Sequence, residues 1–152
     1  VDEYNEQLYA LAADIAGKLV EGELVDQYLT KAHQLAPDNL AITLKLSNYY
    51  LSQGDHEANL ALLKPEEKAA QDPQVEWNLA QSLQAREDFA AAAAAYENAR
   101  PTYWDNLTFL KQLLTFYRES GNWDQLEDTL AHALTLAPDD PDLNELDQQL
   151  AD

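Results

Sequence analysis

Few residues in this sequence have the type and spacing that chemistry requires. There are three histidines, His33, His56 and His132, and no two stand four apart with a carboxylate between them. The helical zinc-site spacing is therefore absent. Cysteine is missing altogether, which removes thiolate nucleophiles, disulfides and thiolate metal sites. Ser47, Ser52, Ser82 and Ser120 lie in no Gly-x-Ser-x-Gly elbow, and no Gly-x4-Gly-Lys phosphate loop occurs. Asp139, Asp140 and Asp142 crowd around Pro138 and Pro141 without the spacing of a calcium loop, and read as a carboxylate-rich helix start. What remains is recognition. Trp77 stands with Gln74, Asn78, Gln81 and Gln84, mostly three or four residues apart, the separation of neighbours on one side of a helix. An indole set among carboxamides can hold a hydrophobic side chain and pair with a peptide backbone.

The expectation is thus a non-catalytic protein without cofactor or metal. Charge narrows the partners further. The 152 residues carry 28 acidic and 9 basic groups, a net charge of −19. Phosphate-rich surfaces are repelled by such a chain, so nucleic acid and anionic membrane are not its partners. A hydrophobic fraction of 46% is too high for a disordered acidic tail. No apolar run approaches the ~18 residues of a membrane span, and no signal peptide is visible. A cytoplasmic location is the expectation. Methionine is absent, as in a fragment or a processed product.

The elements that must position these residues are helical. Asp72-Pro73 and Asp140-Pro141 each place a capping carboxylate before a proline at the first helical position. Asp38, Asp55, Asp88 and Asn122 are further candidate caps. Helices are predicted over about 2–19, 23–35, 39–52, 55–64, 73–86, 89–100, 105–119, 123–136 and 141–151. No stretch alternates with a period of two for long enough to suggest a strand. Pro65 must end or kink the fourth helix, and residues 65–71 are read as a short irregular turn. The alanine run from Ala90 to Ala95 reads as close helix packing, and Trp123, Phe89, Tyr50, Tyr96 and Tyr117 read as core. Leu143, Leu146 and Leu150 put a narrow apolar stripe on the last helix.

The helices repeat. Ala32-His33-Gln34-Leu35-Ala36-Pro37-Asp38 returns as Ala133-Leu134-Thr135-Leu136-Ala137-Pro138-Asp139, with the prolines 101 residues apart. Turns at Gly54-Asp55, Glu87-Asp88 and Gly121-Asn122 are spaced 33 and 34 residues apart. The last unit reads Leu110-x2-Leu113-Leu114-x2-Tyr117, then Leu126-x3-Leu130-x2-Ala133-x4-Pro138. The third reads Leu79-Ala80-x2-Leu83, then Ala92-x3-Tyr96-x2-Ala99, and the second Leu46-Ser47-x2-Tyr50, then Asn59-x3-Leu63. The first keeps Val25-x3-Leu29-x2-Ala32-x4-Pro37. With a period near 34, this pattern resembles the tetratricopeptide repeat family in degenerate form. Leu114 replaces a small residue and Asn59 replaces an alanine. The resemblance implies an all-α fold: a right-handed α-solenoid of about four helix hairpins, over residues 1–37, 38–71, 72–104 and 105–139, with a capping helix at 140–152. The whole would form a single domain.

It also implies a function, a scaffold or adaptor that holds a peptide or helix of a partner protein in a concave groove. Carried onto this sequence, the groove positions are Leu44, Lys45, Asn48 and Leu51; Gln74, Trp77, Asn78, Gln81 and Gln84; and Thr108, Lys111, Gln112, Thr115 and Arg118. The expected site is Lys45, Asn48, Trp77, Asn78, Gln81, Lys111, Thr115 and Arg118. Asn48 and Asn78 occupy the asparagine places of a family carboxylate clamp, but Leu44, Thr108 and Gln112 occupy its cation places, so that clamp is not implied. Trp77 has two readings, a groove anchor or a core filler beside the irregular second repeat. Self-association, or service as a regulatory segment of a larger enzyme, are the alternative functions.

Overall fold

The computed structural model describes residues 3–18, 22–64 and 72–152. Among the described residues there are nine helices and no strand: α1 (Glu3–Lys18), α2 (Gly22–Leu35), α3 (Leu40–Gln53), α4 (His56–Leu63), α5 (Pro73–Ala85), α6 (Phe89–Tyr103), α7 (Leu107–Ser120), α8 (Trp123–Leu136) and α9 (Pro141–Ala151). Asp2 and Leu19, the expected ends of the first helix, and the irregular turn at 65–71 lie outside the described residues. None of these helices is long and apolar enough to cross a membrane. No group of three or more His, Cys, Asp or Glu among them is placed to hold a metal ion.

Local chemistry sets the boundaries. Asp55, Asp72, Asp88, Asn122 and Asp140 each accept a backbone N–H of the first turn of the helix that follows, satisfying a donor that the helix itself cannot. Two caps differ from expectation. Asn39, not Asp38, caps α3 through the Ile42 N–H, and Asn106 caps α7 through the Phe109 N–H. The three predicted turns share one closure. Gly54 and Gly121 are left-handed, with φ of 69° and 73°, and Glu87 adopts the same region without glycine, at φ 61°. In each, the next residue's N–H returns to a carbonyl of the preceding helix: Asp55 to Tyr50, Asp88 to Leu83, Asn122 to Tyr117, at 2.8–3.0 Å. The sixth helix runs on through Pro101, past its predicted end at 100. A proline in the last turn forfeits one hydrogen bond, and that loss is small where the ladder is ending anyway. Beyond it, Trp104 lies between Arg100 (4.2 Å) and the stacked ring of His132 (4.4 Å).

Each helix packs on its sequence neighbours, and α3 also meets α5. This is the α-solenoid pattern, in which no hairpin buries its apolar stripe alone. One core cluster runs from α4 to α9, centred on Tyr96, whose ring lies 6.0 Å from that of Phe109 and 5.0 Å from that of Phe116. A smaller one joins Ala13, Val25, Leu29 and Leu46, and Leu62 packs against both. Within the alanine run, Ala92 and Ala95 are buried and Ala90 and Ala94 exposed, one inner and one outer face. Tyr96 and Tyr117 are buried, while Tyr50 and Phe89 are half-buried. Trp123 is not core: it is 51% exposed. Phe89, its counterpart one repeat earlier, packs on Phe116 of α7. One period later that covering position falls to Leu150 of α9, an aliphatic side chain in place of the phenyl ring.

A buried carboxylate adds a pH dependence. Glu76 of α5 is buried, and burial pushes its carboxyl up from 4.5, opposed by a hydrogen bond from Asn98. The folded state then keeps this proton to higher pH than the unfolded chain does. Its stabilisation is complete below the ordinary value and lost as pH rises through the raised one. Glu76→Gln is expected to flatten that loss and to gain from a few tenths to about 1 kcal/mol at neutral pH. Urea unfolding at pH 4.5 and 7.5 tests it; an unchanged difference between the two would refute it.

Candidate functional site

A buried hydrogen-bond chain threads α3, α4 and α5. Ser47 Oγ donates to Asn59 Oδ1 (2.6 Å), and Asn59 Nδ2 donates to Ser82 Oγ (2.8 Å) and to the Asn78 carbonyl (3.2 Å). Asn78 Nδ2 donates to Ser47 Oγ (2.9 Å) and Asn48 Oδ1 (2.8 Å), and Asn78 Oδ1 accepts from Gln74 Nε2 (2.8 Å). Beyond these, Tyr103 Oη donates to Gln74 Oε1 (3.2 Å), and His56 Nδ1 lies 3.0 Å from Ser82 Oγ. Ser47, Asn59, Asn78 and Ser82 are all buried. A buried amide is costly unless every group is matched, and these are. Asn59 therefore fills the alanine place of its repeat because two serines and a carbonyl wait for it there. Sequence reasoning places the serines outside any nucleophile motif and gives them no polar partner. The signal available to it was the pairing of a polar residue in one core place with serines in two others.

This chain corrects the expectation for Asn78. It is 1% exposed, with both amide hydrogens donated and its oxygen occupied, so it holds Asn48 in place and offers nothing to a ligand. Trp77 is half-buried. Its ring lies 4.8 Å from Tyr103 and edge-on to Phe109 at 5.2 Å, and its Nε1 donates to Gln112 Oε1 (2.6 Å). The indole is thus neither a free surface anchor nor a sealed core residue. It joins α5 to α6 and α7 and stays half-buried.

The other expected residues line three successive depressions. Lys45 and Asn48 border the first, about 550 Å³, between α1, α2 and α3, where Lys45 pairs with Asp14 at 2.9 Å. Gln81, Lys111 and Thr115 border the second, also about 550 Å³, between α5 and α7, with Tyr96 and Ala85 among its apolar walls. Lys111, Thr115 and Arg118 border the third, about 320 Å³, between α7 and α9. The structure does not bring the three cations together. Lys111 is held by Asp140 (2.8 Å) and Asp142 (3.0 Å). These bonds push its ammonium up and, with the Leu143 and Asp142 N–H groups, hold the Asp140 carboxyl down. This tether of α9 is accordingly lost as pH falls below the ordinary aspartate range. Arg118 is exposed and carries no ion pair among the described residues. Gln112 accepts the indole N–H and keeps its own NH2 free to donate. Gln81 makes one long bond, 3.4 Å, to the Trp77 carbonyl, and Thr115 donates to that of Lys111 (3.2 Å).

Comparison with known proteins gives a consistent picture. Residues 73–140 match the model of YpiA-like, C-terminal tetratricopeptide repeats. The TPR repeat-containing protein YpiA of Bacillus subtilis (strain 168) is 27% identical over 121 residues, which are 79% of this chain and 29% of that protein. The chain thus spans under a third of the length of the curated relative it matches. A crystal structure of MamA superposes with a TM-score of 0.77 at 16% identity, covering 88% of this chain and 74% of that one. A tetratricopeptide repeat protein from Parabacteroides merdae gives 0.75 at 12% identity, covering 92% and 56%. At these identities the two structures speak for the fold.

Proposed function

We propose that this chain, a member of the tetratricopeptide repeat family, is a non-catalytic protein-interaction scaffold that holds a peptide or helix of a partner protein along α3, α5 and α7. The observation that carries the reading is the depression between α5 and α7. Its walls combine apolar surface from Tyr96 and Ala85 with the NH2 group of Gln112 and the hydroxyl of Thr108. Side-chain donors around an apolar floor suit backbone carbonyls flanking a buried side chain. Trp77 sits behind Gln112 and fixes it. Lys45 and Asn48 at one end and Lys111 and Arg118 at the other extend the surface. Of the three cations, Arg118 is the one ready to take a ligand carboxylate, since Lys45 and Lys111 already have partners. Nucleic acid is no partner, because the net charge of −19 opposes phosphate.

Panning a library of twelve-residue peptides against the chain tests this. Selected peptides should lose at least tenfold in affinity on Thr115→Trp, which fills the depression from an exposed position, and severalfold on Arg118→Glu. Failure to select any peptide, or selected peptides indifferent to Thr115→Trp, would overturn the reading.

A further inference from the structure

The two ends of the solenoid are built differently. On α9, Leu143 is buried and Leu146 and Leu150 pack against the core, facing α8 and the Leu114–Arg118 stretch of α7. On α1, Leu8, Leu11 and Ile15 are 61%, 55% and 51% exposed. The two stripes are the same stripe. Leu143, Leu146 and Leu150 stand 135 residues after Leu8, Leu11 and Ile15, one short of four periods of about 34, and the short period is the 33-residue one already noted. The exposed face of α1 is therefore, by register, the face with which α9 covers the repeat before it.

The rest of each helix differs in the sense this requires. Where α9 carries Glu145, Asp147 and Gln148, α1 carries Ala10, Ala12 and Ala13, and Ala13 is buried against α2. A helix that is polar away from its neighbours ends a solenoid; one that is apolar on two sides lies between neighbours. Three large aliphatic side chains left side by side in water also mark a contact surface.

We propose that the Leu8–Leu11–Ile15 face of α1 seats a further helical hairpin of the α7–α8 kind, belonging to the same polypeptide and preceding α1. A second copy of this chain is the weaker occupant. Its own surface of that kind is already covered by α9, and each copy carries a charge of −19. The relative that this chain matches over only 29% of its length, through a model of C-terminal repeats, has length to spare for such repeats.

Two variants of the full chain test the proposal. In the first, a copy of residues 105–139 is joined ahead of α1 in the register it keeps ahead of α9. Amide exchange across Leu8–Ile15 should slow at least tenfold, and Leu11→Asp should abolish that protection while leaving the melting temperature of the unextended chain nearly unchanged. In the second, residues 143–151 are replaced by a copy of residues 8–16. This cap should hold the melting temperature within a few degrees of the parent, whereas deletion of 140–152 should lower it clearly. No added protection of α1 in a helical extended chain, or a grafted cap no better than the deletion, would overturn the proposal. So would a mass of the unextended chain that doubles with concentration and returns to monomer on Leu11→Asp, since the occupant would then be a second copy.

Discussion

Asn59→Asp is expected to be among the most damaging single-atom changes in this protein, costing about 4 kcal/mol or more at neutral pH. The substitution exchanges an NH2 group for an oxygen at a site with no exposure to water. That NH2 donates to the Asn78 carbonyl and to Ser82 Oγ. A carboxylate there would face a carbonyl oxygen, unpaired and desolvated, and removing one partner from a buried charged contact costs about 3–5 kcal/mol. For a chain of this size the melting temperature should fall by about 10 °C or more. Asn59→Ala is the informative companion. It restores the small residue usual at that place in the repeat, yet it should still cost about 2–3 kcal/mol, because the Ser47 and Ser82 hydroxyls and the Asn78 carbonyl lose their partners together. An Asn59→Ala variant as stable as the parent in urea would show that the polar chain contributes no net stability.

Trp77→Ala is the second. The ring contacts with Tyr103 and Phe109 and the bond to Gln112 tie three helices together. Their loss, with the cavity left behind, should cost about 3 kcal/mol. Trp77→Phe keeps most of the packing and should cost about 1 kcal/mol, while releasing Gln112 from the indole. If the indole positions the groove, peptides selected on the parent should bind Trp77→Phe at least fivefold more weakly. Equal binding would remove Trp77 from the site and leave it as packing alone, and a cost below about 1 kcal/mol for Trp77→Ala would contradict the packing role.

The sequence was informative wherever a feature was local. Asp72-Pro73, Asp140-Pro141 and the glycine turns dictate helix ends through bonds spanning three to five residues, and the helices begin and end within a few residues of where those signals place them. The main overrun, through Pro101, follows from a helix already near its end. The 34-residue period identified the stacked hairpins, because amphipathic helices of that length have nothing to bury against except the next pair. Even the stripe on α1 was written in the register of Leu8, Leu11 and Ile15. The structure alone decided which polar groups meet. Asn78 looks like a groove residue by position, yet it is sealed by Ser47, Asn48 and Gln74, drawn from two helices and up to 31 residues away. Lys111 looks like a free cation, yet Asp140 and Asp142 reach it across the turn into α9. Trp123 matches Phe89 in sequence and differs in burial: Phe89 packs on the Phe116 ring of α7, whereas the residue one period after Phe116 is the aliphatic Leu150 of α9. A hydrogen bond or an ion pair forms wherever the packed backbone brings donor and acceptor within about 3 Å, and that distance is a property of how the helices stack, which no spacing along the chain records.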